Sequence, residues 1–172
     1  MITPVRVGMA TLLAVAAAGC SSQRVEPVEV ARFPLDQLSE IVAVKDVAID
    51  SQISSDGQAA VRIASLDSAN VPLVVVENPD VDNCRLIYRA RVRTENLAGK
   101  AFLEMWCQFE GRGEFFSRDL QTPVTGNTDW TTEETYFLLR KGEKPNRVRL
   151  NLVVNGTGLV WVDDLRLLKA AQ

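Results

Sequence analysis

From about residue 35 onward the chain alternates apolar and polar positions over short stretches, and Gly, Pro, Asn and Asp break the pattern at intervals. Successive side chains of a strand point to opposite faces, so alternation with a period of two marks strands that bury one face. The pattern predicts strands over residues 42–49, 59–64, 73–77, 85–94, 101–109, 115–120, 132–139, 147–154 and 159–168. Turns are marked by Asp56-Gly57, Asn78-Pro79-Asp80, residues 111–113, Gly126-Asn127, residues 144–146 and residues 155–158. Only residues 35–41 fit a short helix, and no internal repeat is visible. Many short strands with frequent turns predict an all-β fold, an antiparallel β-sandwich or jelly roll.

Residues 85–94 and 101–109 read as a hairpin about the turn ENLAGK. With Thr94 opposite Ala101, one face holds Leu86, Tyr88, Ala90 and Val92 together with Leu103, Met105, Cys107 and Phe109, and all of these suit a core. The other face holds Arg89, Arg91, Arg93, Phe102, Glu104, Trp106 and Gln108. A slip of one residue would bury the arginines, which fixes the phase. In this register Cys84 lies beyond the end of the hairpin. That is further from the position facing Cys107 than the ~6 Å between Cα atoms that a disulfide spans, so two unpaired thiols are expected.

The polar face has the makings of a sugar-binding surface. Such a surface needs a flat aromatic for the C–H side of a pyranose, flanked by planar polar groups that hydrogen-bond its hydroxyls in pairs. Trp106 with Arg89, Arg91, Glu104 and Gln108 meets that need, and the arginines favour an acidic glycan. The same residues also make an ordinary solvated sheet face, with Arg91 and Glu104 paired across strands and Arg89 stacked on Trp106. Of the adjacent Phe115 and Phe116, one must face away from the core, where it extends the aromatic surface or packs under a loop. A second hairpin, across residues 155–158, places Asp163 on an apolar face, where a carboxylate is costly without a compensating partner. A bulge at Asp163-Asp164 would return it to solvent or let it bond the backbone.

Composition narrows the chemistry. The chain has 172 residues and a net charge of −3, and no histidine. A mildly acidic chain offers no basic surface for nucleic acid. Without histidine there is no histidine-based triad, and the commonest transition-metal ligand is missing. Glu110, Glu114, Glu133 and Glu134 are available as carboxylates, but nothing in their spacing makes an acid/base pair, so no enzyme is expected.

The first residues, MITPVRVGMATLLAVAAAGC, give one cation at Arg6, an apolar stretch, and the small residues Ala17, Ala18 and Gly19 before Cys20. The apolar stretch is too short to span a bilayer and has the order of a secretory signal. It resembles the lipobox of bacterial lipoproteins, with Ala17 where that family most often has leucine. The resemblance implies that residues 1–19 are removed, that Cys20 carries the lipid, and that residues 20–34 tether a domain of residues 35–172. Acyl chains contribute ~0.8 kcal/mol per buried CH₂, and more than one chain is needed for firm anchoring. Ser21 and Ser22, with no aspartate after the cysteine, resemble lipoproteins sorted to an outer membrane. The expected location is therefore the cell envelope.

The run SSDGQAAVRIAS, the strand LIYRARVRT and the closing VWVDDLRLL are similar to the galactose-binding-like jelly roll, found in several carbohydrate-binding modules. That resemblance implies a non-catalytic module that binds a glycan or a glycosylated partner. It also makes Asp163 a candidate ligand for a structural calcium, with no other cofactor implied. The alternative is a structural or protein-interaction lipoprotein whose partner is an envelope protein.

Overall fold

In the computed structural model the described residues are 26–42 and 45–172, so the signal-like segment and Cys20 lie outside them. Eight strands follow in order: β1 (Val28–Phe33), β2 (Val47–Asp50), β3 (Ala60–Ser65), β4 (Ser68–Glu77), β5 (Cys84–Phe109), β6 (Gly113–Arg118), β7 (Val124–Leu139) and β8 (Arg147–Ala170). Every pairing is antiparallel. The short helix expected near residue 38 is a single 3-10 turn, Leu38–Glu40. Strand β2 starts at Val47, later than the alternation suggested, and β7 starts before Gly126 and runs through it.

The largest departure from expectation concerns the two hairpins. β5 is one strand of 26 residues and β8 one strand of 24, paired from Arg85–Ala170 at one end to Gln108–Arg147 at the other. The segment ENLAGK and residues 155–158 are bends in through-running strands, not turns. Across β8 from β5 lie β4 along Arg147 to Asn155, β3 along Gly158 to Val162, and β1 along Leu165 to Lys169. Across β5 from β8 lie β7, from Cys84 to Ala101, and β6, from Glu104 to Phe109. The bent ribbon thus supplies both halves of a β-sandwich, and β6 and β7 lie at the open edge of their halves.

Glycines permit the bend. A Cβ on Gly99 would lie 2.0 Å from the Asn155 carbonyl oxygen, and one on Gly156 would lie 2.1 Å from that of Ala98. Both have positive φ, +142° and +135°, which only glycine adopts without strain. The register also shifts between Glu95 and Ala98. That shift changes the phase of alternation, from even-numbered core residues before the bend to odd-numbered ones after it.

The predicted core face is correct even though its pairing is not. Leu86, Tyr88, Ala90, Val92, Leu103, Met105, Cys107 and Phe109 all belong to one buried cluster with Val148, Leu150, Leu152, Val160, Leu165 and Leu167 from β8. Cys84 and Cys107 are both buried free thiols. Burial, with Cys84 adding to it, pushes the Cys107 thiol up to about 12, so it stays protonated and unreactive. β1 corrects the expected extent of the tether. Its alternating sequence VEVARF pairs with the end of β8, and Pro27 and Pro34 bracket the strand without interrupting it.

Candidate functional site

The bend separates what a hairpin would have joined. In β5, Arg89 and Arg91 precede it and Glu104, Trp106 and Gln108 follow it, so the two groups lie on the outer faces of different halves. Arg91 is opposite Asp163 and Thr132, not Glu104. Its guanidinium donates to Ser55 Oγ (3.1 Å), Thr132 Oγ1 (2.8 Å) and the Trp130 carbonyl (2.7 Å), which leaves it a bracing role. Arg89 pairs with Glu134.

Glu104, Trp106 and Gln108 keep a common face, and three neighbouring strands complete it. Glu104 stands between Asn151 of β8 and Arg118 of β6, while Trp106 stands between Arg149 and Phe116. Only 2% of Glu104 is exposed, yet its carboxylate is fully engaged. Oε1 accepts from Trp106 Nε1 at 2.7 Å and from Asn70 and Asn151 Nδ2 at 3.2 Å each. Oε2 pairs with Arg118 at 2.7 Å. A buried carboxylate is tolerable only with such a set of donors, and in return it holds them rigidly.

The aromatic rings form a short stack on this face. Arg118 lies 4.3 Å from the Phe116 ring centre, Phe116 lies 4.9 Å from Trp106, and Arg149 lies 5.5 Å from Trp106 on the neighbouring strand. The ion pair of Arg91 with Glu104 and the stack of Arg89 on Trp106 expected from the sequence are therefore not formed; Arg118 pairs with Glu104 and Arg149 lies over Trp106 instead. Trp106 is half-buried and Phe116 is 48% exposed. Beside the stack a depression of about 380 Å³ is lined by Asn70, Phe102, Glu104, Arg118, Val153 and Asn155, among others. Its buried lining combines Phe102 and Val153 with the Glu104 carboxylate, and Asn70, Arg118 and Asn155 are its exposed polar groups, which is chemistry suited to hydroxyl-rich ligands.

Sequence reasoning missed Asn70 and Asn151 because β8 meets β5, and β4 meets β8, only through long-range pairing; Arg118 comes through the local β5–β6 hairpin, whose turn at residues 111–113 the sequence marks, and it was overlooked. The alternation in GEFFSR does place Phe116 and Arg118 on one face, and of the two phenylalanines Phe116 is the one that joins Trp106.

Asp163 is fully buried at a bulge, where the register shifts between Arg89 and Arg91 and Asp164 adopts φ +44°. Its carboxylate accepts three backbone N–H groups, from Ser55 (2.6 Å), Asp56 (2.9 Å) and Asp164 (2.8 Å). Burial raises its pKa despite those donors. Donors directed at the carboxylate are the reverse of a cation's needs. No group of three or more His, Cys, Asp or Glu able to hold a metal is found among the described residues. The surroundings of Asp163 do not fit calcium, and the residue instead fastens the loop before β3 to β8.

The glutamates considered for acid/base chemistry are dispersed. Glu114 pairs with Arg149, Glu134 with Arg89, and Glu133 is buried on the inner side of β7. Burial, and then the Asp119 carboxylate, push Glu133 up from 4.5 to about 7. Between those values the folded chain holds a proton that the unfolded chain releases, so stability falls as pH rises through the window and stays low above it. Glu133→Gln should raise stability by roughly 1–3 kcal/mol at about pH 8 and leave it unchanged below about pH 4. Urea melts at the two pH values test this, and an equal effect at both would rule out the titration.

No family model matches the chain, and no curated protein sequence does. Among solved structures it is similar to "Family 16 Carbohydrate Binding Module-2", with a TM-score of 0.53 and 11% identity over 71% of this chain and 84% of the other. It is also similar to the CBM22-1 xylan-binding domain from Paenibacillus barcinonensis Xyn10C, with a TM-score of 0.58 and 10% identity over 85% and 97% of the two chains. A third match is the CBM22-1-GH10 portion of Clostridium thermocellum endo-1,4-beta-D-xylanase 10B complexed with xylohexaose. Its TM-score is 0.61 with 14% identity, and it covers 84% of this chain and 29% of the other. At these identities the likeness is one of fold, and the chain is an antiparallel β-sandwich of the kind seen in carbohydrate-binding modules.

Proposed function

We propose that this domain binds carbohydrate without catalysis, and that lipid on Cys20 holds it at a membrane of the cell envelope. The observation that carries the binding half is the Glu104 carboxylate. It is buried on an outer sheet face and fixes Asn70, Asn151, Trp106 and Arg118 beside an aromatic stack and an open depression. The Asn70 amide and the Arg118 guanidinium, pre-set and accessible, recognise hydroxyls with little ordering cost on binding, while the buried Asn151 serves to hold Glu104. Arg89 and Arg91, engaged on the other half, are left out of the reading. Gln108 stays in it at the end of the same row.

Fold likeness to modules described as xylan-binding makes xylan fragments the first probe. On a glycan array that includes xylohexaose the protein should bind, and Trp106→Ala should weaken binding about tenfold or more by removing the central ring. An array without signal, or binding indifferent to Trp106→Ala, sinks the carbohydrate reading and leaves the protein-interaction alternative. The anchor is tested separately. Cys20→Ala should move the protein from the membrane fraction to the soluble fraction, and membrane retention of that variant would refute lipidation as the means of attachment.

A further inference from the structure

The most spacious depression among those described is not on the Glu104 face. It is a cleft of about 630 Å³ between the edge strands β6 and β7, against about 380 Å³ for the depression on the face. Neither edge strand pairs with any described strand other than β5. Across the cleft Ser117 Oγ and Thr135 Oγ1 meet at 3.0 Å. Its rims carry Phe116 from one half of the sandwich and Tyr136 from the other, 48% and 58% exposed. One end is closed by the turn after β6, where Asp119 accepts from the backbone N–H of Gln121 at 2.9 Å and of Thr122 at 3.3 Å.

Two features decide what such a cleft takes. Its charged residues are already neutralised, Arg118 by Glu104 and Glu134 by Arg89, while Asp119 is spent on its own turn. What remains is the aromatic rims, the half-exposed Leu120 and the Gln121 side-chain amide, together with the outward backbone groups of two strand edges. The hydroxyls of Ser117, Thr135 and Thr122 are bonded to one another or to Asp119 and add only spare lone pairs. That combination of C–H-stacking surfaces and neutral hydrogen-bonding groups suits a polyhydroxylated chain better than an ion or an apolar segment. The cleft is also continuous with the face already described. Arg118 borders both depressions, and the Phe116 ring on the cleft's rim is 4.9 Å from Trp106. Only β6 separates the two, about one strand spacing of ~4.8 Å.

We infer that the bound glycan does not end on the sheet face but passes over β6 into the edge cleft, so that the domain holds an internal stretch of a polysaccharide. This rests on the carbohydrate reading above. It makes Tyr136 a contact for the distant units of a long ligand and leaves short ligands to the Trp106 face.

The test is calorimetric titration of the whole protein with xylobiose and with xylohexaose. Wild type should bind the hexaose about tenfold or more tightly than the biose, and Tyr136→Ala should abolish most of that gain while leaving the biose affinity unchanged. Trp106→Ala should weaken both. Tyr136 is exposed, so its removal should not impair folding, and matching thermal melts check this. If Tyr136→Ala binds xylohexaose like wild type while Trp106→Ala does not, the extension into the cleft is wrong and the face reading stands. If wild type binds neither sugar nor any other glycan on the array, both fall together.

Discussion

Gly156→Ala should leave little or no folded protein. The new methyl would have to occupy a position 2.1 Å from the Ala98 carbonyl oxygen, and the backbone would have to keep φ at +135°. The obstacle is backbone of the partner strand, not the tip of a flexible side chain, so β5 and β8 must separate where they approach most closely. Backbone strain alone costs ~1–3 kcal/mol, and parting the ribbon adds lost hydrogen bonds and packing on both halves. A total of about 4 kcal/mol or more is comparable with the ~5–15 kcal/mol stability of an ordinary domain. If the protein is recovered, its Tm should fall by about 10 °C or more. Gly111→Ala is the control, since that glycine also has positive φ, +68°, but nothing within 4 Å of its added Cβ. Equal melting of the two variants would mean that the close crossing of the strands is not what requires glycine.

Glu104→Ala should cost about 3 kcal/mol and abolish ligand binding. Removing the carboxylate strands the indole N–H of Trp106, the amide groups of Asn70 and Asn151, and the Arg118 guanidinium, all of which it accepts from. Asn151 is only 3% exposed, so water cannot readily replace the lost acceptor. Glu77, paired with Arg147 at 3.0 Å but 59% exposed, provides the contrast. Glu77→Ala should fall within about 0.5 kcal/mol of wild type, as screened surface pairs do. Urea denaturation of the two variants compares them directly. A Glu104→Ala variant as stable as Glu77→Ala would show that the buried hub contributes nothing.

Much of this was legible in the alternation of residues 85–109, and the limits of that legibility have a physical origin. On either side of the bend, which residues face the core depends on strand periodicity, so Leu86 to Val92 and Leu103 to Phe109 sort correctly by face, although Phe102 and Glu104 on the outer face are 3% and 2% exposed where solvated residues were expected. Whether the chain reverses at ENLAGK depends on what approaches it. Glycine, polar residues and a change of phase signal a turn and a bend alike, and only the nearness of residues 155–158 distinguishes them. The candidate site inherits this ambiguity. Glu104, Trp106 and Gln108 share a face whichever way the strand runs, whereas Arg89 and Arg91 join them only in a hairpin. Asn70 and Asn151 belong to the same patch through pairings that no local pattern encodes, whereas Arg118 follows from the hairpin about residues 111–113 and could have been placed opposite Glu104 from the sequence. The bulge at Asp163-Asp164 was legible as one of two outcomes, and the three amide donors show which one the fold adopts.

The uninterrupted course of β5 and β8 also determines how force passes through the molecule. A load applied on the Trp106 face and resisted at the N-terminal end of β1 enters one half of the sandwich and leaves by the other. In a sandwich whose strands each stay in one layer, that load would pass between layers only through connecting loops and side-chain contacts. Here two paired strands, β5 and β8, themselves run from one half to the other, so a hydrogen-bonded ribbon carries the tension across the bend. The ladder between Val28–Phe33 and β8, six residues long, is then the element that yields first, by unzipping from the Val28–Lys169 end.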